Sequence, residues 1–172
     1  VILKANKNTS KVFYIKGFQE GAESTKPDCY SNDGIKPDIS VVPISNKWQE
    51  NELSLRDCTA IFGCVDSFVA RDELERFCRR YLIPYIDIGM DVHGGSNGFA
   101  ISGQVILSLP NQPCMRCLGY LTDERLAAEQ KRYGAAGGKP QVVWPNGVLA
   151  SIAVGQLMSL LLAWQDKLSP SI

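Results

Sequence analysis

Residues 59–89 read TAIFGCVDSFVARDELERFCRRYLIPYIDIG, and the fold turns on how this stretch divides. An apolar run, Ile61 to Val65, ends on the carboxylate of Asp66. From Ser67 to Tyr81 the apolar positions Ala70, Leu74, Phe77, Cys78 and Tyr81 recur every three or four residues. That period predicts an amphipathic helix, N-capped by Ser67 or Asp66, with Arg71, Asp72, Glu75, Arg76 and Arg79 falling largely on its other side. Pro84 bars the helix from continuing, and YIDIG (85–89) follows as a second short buried strand. Strand, helix and strand in so short a span form one βαβ unit, with the two strands parallel.

Outward from this unit the pattern stays α/β. Residues 12–15 (VFYI) and 39–44 (ISVVPI) are strand candidates, separated by a Gly- and Pro-containing stretch, 17–38, that reads as a long loop. Residues 45–57 suit a connection or short helix. DVHGGSNG (91–98) has turn chemistry, with GFAIS and QVILSL as flanking strands and the single histidine, His93, as a surface residue in that turn. A helix over 123–133 opens with acids at its positive end. GAAGG (134–138) is a break, and QVVW (141–144) an extended entry to a long C-terminal helix. The expected fold is a Rossmann-like α/β domain: a mixed, mainly parallel sheet with an antiparallel addition. Residues 1–172 form one domain, of which 1–37 is poorly defined.

Composition narrows the function classes. Eighteen basic residues balance eighteen acidic ones, so no cationic excess exists to neutralise nucleic-acid phosphates or an anionic membrane. Six cysteines could form a disulfide framework, but Cys64 in an apolar run and Cys78 on an apolar helix face read as reduced core thiols. The expected setting is therefore cytoplasmic and reducing. GVLASIAVGQLMSLLLAW (147–164) nearly suffices to cross a bilayer, yet Ser151, Gln156 and Ser159 interrupt it. It is read as a core helix, with no membrane partner.

Asp66 lies at the carboxyl end of one parallel strand and Asp87 near that of the next, where open α/β sheets bind ligands. A carboxylate there either caps a helix or holds Mg²⁺ that bridges substrate phosphates. Local pattern alone favours the cap for Asp66, and a solvated or ion-paired role for Arg71.

These motifs resemble the signature of the ubiquitin-activating-enzyme superfamily of ThiF, MoeB and HesA type. GCVDSFVAR with PYIDIG carries the likeness first, GQVILSLPNQPCMRCLGY continues it, and PQVVWPNGVLASIAVGQLMSLLL closes it, over roughly residues 38–165. The resemblance implies ATP-dependent adenylation of the C-terminal carboxylate of a ubiquitin-like or sulfur-carrier protein, by a homo- or heterodimer. It makes Asp66 the catalytic acid that coordinates Mg²⁺–ATP. Arg71 then braces the turn or approaches phosphate, and Asn146 joins the nucleotide site. It also makes Cys114 and Cys117 half of a structural zinc site. The second pair would fall where this chain has Val142-Val143-Trp144-Pro145, and no cysteine follows Cys117. A structural remnant is the favoured reading of the pair, beside a redox couple or an acceptor thiol. No Gly-x-Gly-x-x-Gly loop precedes residue 38. The competing expectation is thus a non-catalytic module of the same fold, acting in dimerisation or protein binding.

Overall fold

The structure is a computed structural model that describes residues 11–15, 40–44, 47–95, 98–132 and 143–162, with backbone alone at 11–15, 40–44, 93–95, 99 and 130–132. Strands β1 (Lys11–Ile15) and β2 (Ser40–Ile44) pair in parallel. A 3₁₀ turn, Trp48–Asn51, runs into the short helix α1 (Glu52–Leu55). A three-stranded sheet follows, in the order β3 (Ile61–Gly63), β4 (Tyr85–Gly95), β5 (Gly98–Ser108). β3 and β4 are parallel, joined through helix α2 (Phe68–Arg80), and β4 and β5 are antiparallel. Helices α3 (Asp123–Arg132) and α4 (Val143–Leu161) complete the described chain.

Side-chain alternation along the strands builds two cores, one on each face of this sheet. Ile61, Tyr85 and Ile106 face Leu74, Phe77 and Cys78 of α2, with Leu55, Ile83, Met115 and Leu121 closing the cluster. Phe62, Ile86, Val105 and Leu107 point the other way, onto Leu149, Ile152, Ala153, Leu157 and Leu160 of α4. The result is a helix–sheet–helix sandwich, and the α/β assignment holds.

Several local expectations change. The turn chemistry at 91–95 and the two strands around it become one long hairpin, because β4 and β5 stay in register over eleven pairs, Tyr85↔Ser108 through Gly95↔Gly98. His93 accordingly sits in a strand opposite Ala100, not in a turn. Val143 and Trp144 are the first turn of α4 rather than an extended entry. The expected loop over 17–38 and the break at 134–138 lie outside the described residues. Cys64 is exposed, because β3 ends at Gly63 and the chain has already left the sheet.

The two long helices depart furthest from expectation. Arg71, Asp72 and Glu75 of α2 are buried, each at 8% exposure or less, and of the two readings of Arg71 the ion-paired one holds, with Asp87 as its partner. Helix α4 covers the sheet with one face only, leaving Trp144 at 68%, Val148 at 54% and Val154 at 50% exposure. By length and composition alone α4 could cross a membrane, but the face on the sheet is that of a packed helix and the opposite face is open.

Helix α2 ends through its backbone. Leu82 adopts a left-handed φ of 56°, and Ile83 N–H donates back to Cys78 C=O at 2.8 Å. That closure satisfies a terminal carbonyl and drops Ile83 into the core ahead of Pro84.

Candidate functional site

The turn after β3 resolves the double reading of Asp66. Ser67 caps α2, its Oγ accepting from Ala70 N–H at 3.2 Å. Glu129 of α3 takes the remaining free amides, accepting from Phe68 N–H at 3.0 Å and Val69 N–H at 3.1 Å, and from Ser67 Oγ at 3.2 Å. A carboxylate facing the positive end of a helix is favourable on its own account. With both capping positions filled, Asp66 is not the cap. It is exposed, and among the described residues its carboxylate makes no hydrogen bond or ion pair.

Below Asp66 lies a buried polar network. Arg71 reaches from the first turn of α2 to the end of the sheet. Its guanidinium donates to the carbonyl of Val65, to Asp87 Oδ2, and to the carbonyl of Ile88 at 3.3 Å. Tyr85 donates its hydroxyl to the other oxygen of Asp87 at 2.8 Å. Asp87 is fully buried, so it is committed to Arg71 and Tyr85 rather than presented to a metal. Burial pushes the Asp87 carboxyl above the usual carboxylate range, against the opposing pull of Arg71 and the Tyr85 hydroxyl. Burial also opposes the charge on Arg71, but Asp87, Tyr120 and Tyr85 together hold Arg71 above its ordinary value. The guanidinium is thus a permanent cation fixed under the Val65–Asp66 turn.

Two glycines make room for this network. A Cβ on Gly63, the register partner of Asp87, would stand 1.9 Å from the Tyr85 hydroxyl oxygen. On Gly89 a Cβ would stand 2.0 Å from Gln104 Nε2 and 2.8 Å from an Arg71 nitrogen. Gln104 in turn donates to the Tyr120 hydroxyl. Both glycines are therefore required by close approach of side chains rather than by a special backbone angle.

The Cys-x-x-Cys turn and the segment before it are bound to the same helix, from Asp72 to Arg79. Arg116 forks onto both oxygens of Asp72, at 2.8 and 3.0 Å, and also donates to Asp123 at 2.9 Å. Glu75 accepts from Ser108 Oγ at 2.6 Å and from Met115 N–H at 2.9 Å. Arg79 donates to Ser108 Oγ and to the carbonyls of Leu109, Pro110 and Gln112. Polar side chains of α2 thus hold the segment from Ser108 to Arg116 at every turn.

The structure joins Asp66 and Arg71 through Val65. Asn146 stands in the first turn of α4, half-buried and beside buried Pro145. Trp144, Pro145, Val148 and Leu149 of that helix, with Met90 and Gly103, line a shallow cavity of about 210 Å³ on the α4 side of the sheet. Cys114 and Cys117 stand together, and among the described residues no cluster of three or more metal-ligating side chains exists. Two thiolates do not fit a closed four-ligand zinc site. Asp66 fits Mg²⁺ differently, since that ion needs only one or two carboxylates when phosphates and water supply the rest.

Sequence reasoning missed Tyr85, Gln104, Tyr120 and Glu129 as parts of the site's frame. Tyr85 carried a signal, since its period-2 spacing from Asp87 puts both side chains on one face of a strand. Glu129 carried none, being one acid among several on a polar helix.

The sequence pattern of the ThiF family matches residues 32–171, and the chain belongs to that family, the adenylation domains of ubiquitin-activating type. No curated protein matches the chain.

Proposed function

We propose that this chain takes part in ATP-dependent adenylation of the C-terminal carboxylate of a ubiquitin-like or sulfur-carrier protein, with Asp66 as the catalytic acid. The observation that carries this reading is the division of labour around the turn. Ser67 and Glu129 do the capping, Arg71 braces the backbone at Val65, and an exposed Asp66 is left over at the mouth of a parallel pair.

Acyl-adenylate formation brings a carboxylate against an anionic phosphate, and Mg²⁺ bound with ATP offsets that repulsion. Asp66 supplies the hard oxygen ligand. Arg71 acts as a positioning residue: it fixes the carbonyl next to Asp66 and adds positive potential below the turn. Asn146, entering at the start of α4, contributes a polar contact to the nucleotide. A reducing cytoplasm suits a chain that carries Cys58 and Cys78 as buried cysteines.

ATP–pyrophosphate exchange, measured with the carrier protein present, tests the reading. Asp66→Asn should lower exchange by roughly two orders of magnitude with the fold intact. Exchange that is present but indifferent to Asp66→Asn would remove Asp66 from the chemistry.

A second reading has its own observation. The open face of α4 presents Val143, Trp144, Val148, Val154, Met158 and Leu161, an apolar surface suited to a protein partner. On this reading the chain is a non-catalytic dimerisation or protein-binding module. It is favoured if the wild-type chain shows no exchange and light scattering shows a dimer that Val154→Lys dissociates.

A further inference from the structure

We propose that Cys114 and Cys117 form a thiol–disulfide exchange site, closing reversibly to an intramolecular disulfide with a low-molecular-weight disulfide as oxidant. The two sulfurs lie 3.3 Å apart, already in contact, and Cys117 is exposed. The backbone between them is a tight helical turn, with Leu118 N–H on Cys114 C=O at 2.9 Å and Cys117 N–H on Cys114 Sγ at 3.4 Å. Met115 is fully buried and Arg116 is forked onto Asp72, so the intervening pair points away from the thiols and anchors them.

This arrangement differs from a metal half-site in what holds the turn. Glu75, Arg79 and Asp72 already fix the segment from Ser108 to Arg116, so no ion is needed to order it. The thiols are therefore free for chemistry. Cys114 donates its S–H to Cys117 Sγ, which lowers the Cys117 thiol and favours its thiolate, the nucleophilic form.

The steps balance as ordinary exchange. The Cys117 thiolate attacks one sulfur of the external disulfide, forming a mixed disulfide and expelling one thiolate. Cys114, losing its proton to solvent, attacks Cys117 Sγ and expels the second thiolate. Two protein thiols are oxidised and one external disulfide is reduced to two thiols. Cys58 and Cys78 are buried, out of reach of an external disulfide.

The test titrates the purified full chain with oxidised and reduced glutathione, then quenches with an alkylating agent and maps peptides by mass. The expected result is a species lighter by two hydrogens, with Cys114 linked to Cys117 and alkylation of both falling about tenfold or more. Dithiothreitol should restore both thiols, and Cys114→Ser should stop Cys117 at the glutathione adduct. Three outcomes overturn the proposal: both cysteines staying alkylatable in excess oxidised glutathione, adducts that never close, or one zinc per chain released only when these thiols are blocked. Because the wild-type chain carries the main readout, a variant that fails to fold leaves the test intact.

Discussion

Helices α2 and α4 flank the same sheet and reverse their compositions. Helix α2 carries three buried charged residues, Arg71, Asp72 and Glu75, while α4 is apolar and leaves much of its surface open. Charge went inward where each group finds a partner: Arg71 meets Asp87, Asp72 meets Arg116, and Glu75 meets Ser108 and an amide. Apolar surface stayed outward where the sheet is too narrow to cover more than one side of a helix. Burial in this chain follows available partners, and hydrophobicity ranks second to geometry on both helices.

Four substitutions, three on the α2 side and one on α4, test that contrast. The largest effect belongs to Arg71→Ala, which leaves Asp87 buried without its cation and should cost about 3–5 kcal/mol in urea unfolding. A loss under about 1 kcal/mol would mean that Asp87 is stably neutral and the pair contributes little. Gly63→Ala comes next, since its Cβ meets the Tyr85 hydroxyl at 1.9 Å. The displaced ring should cost about 1–3 kcal/mol, and unchanged stability would show that Tyr85 can leave Asp87 freely.

Acid titration probes the middle of α2. The hydrogen bonds from Arg116, more than any other cause, hold the Asp72 carboxyl below the usual carboxylate range. The folded chain therefore binds this proton less tightly than the unfolded chain does. The pair's stabilisation is complete above the ordinary carboxylate pKa of about 3.9 and is lost as pH falls through the lowered folded value. Asp72→Asn should thus remove part of the stability gained between strongly acid pH and neutrality, and an unchanged acid limb would argue against the clamp. The smallest effect is expected on α4: Val154→Lys should change the monomer's stability by no more than about 0.5 kcal/mol. A larger loss would show that the open face is packed within the chain.

Much of the fold was legible. The period of the apolar residues in 67–81 located α2 closely, and Pro84 with YIDIG marked the returning parallel strand. Glycines at 94, 95 and 98 misled, because a hairpin arm held by eleven register pairs tolerates residues that alone signal a turn. At the site, strand-end position and family likeness picked out Asp66 and Arg71. Ser67 was legible as a cap candidate, but the buried role of Asp87, and the second capping group Glu129, were not. They depend on contacts spanning sixteen residues for Arg71–Asp87 and about sixty for α2 with Glu129.

By itself the sequence determined the βαβ unit, the acid at its strand end and the family to which the chain belongs, because those rest on local periodicity and ordered motifs. Tertiary structure alone decided which charges are buried, which face of α4 is open, and that two thiols stand in contact on a turn held by its neighbours. The physical reason is that a polar group's placement depends on its partner, and here the partners lie on other elements, distant along the chain.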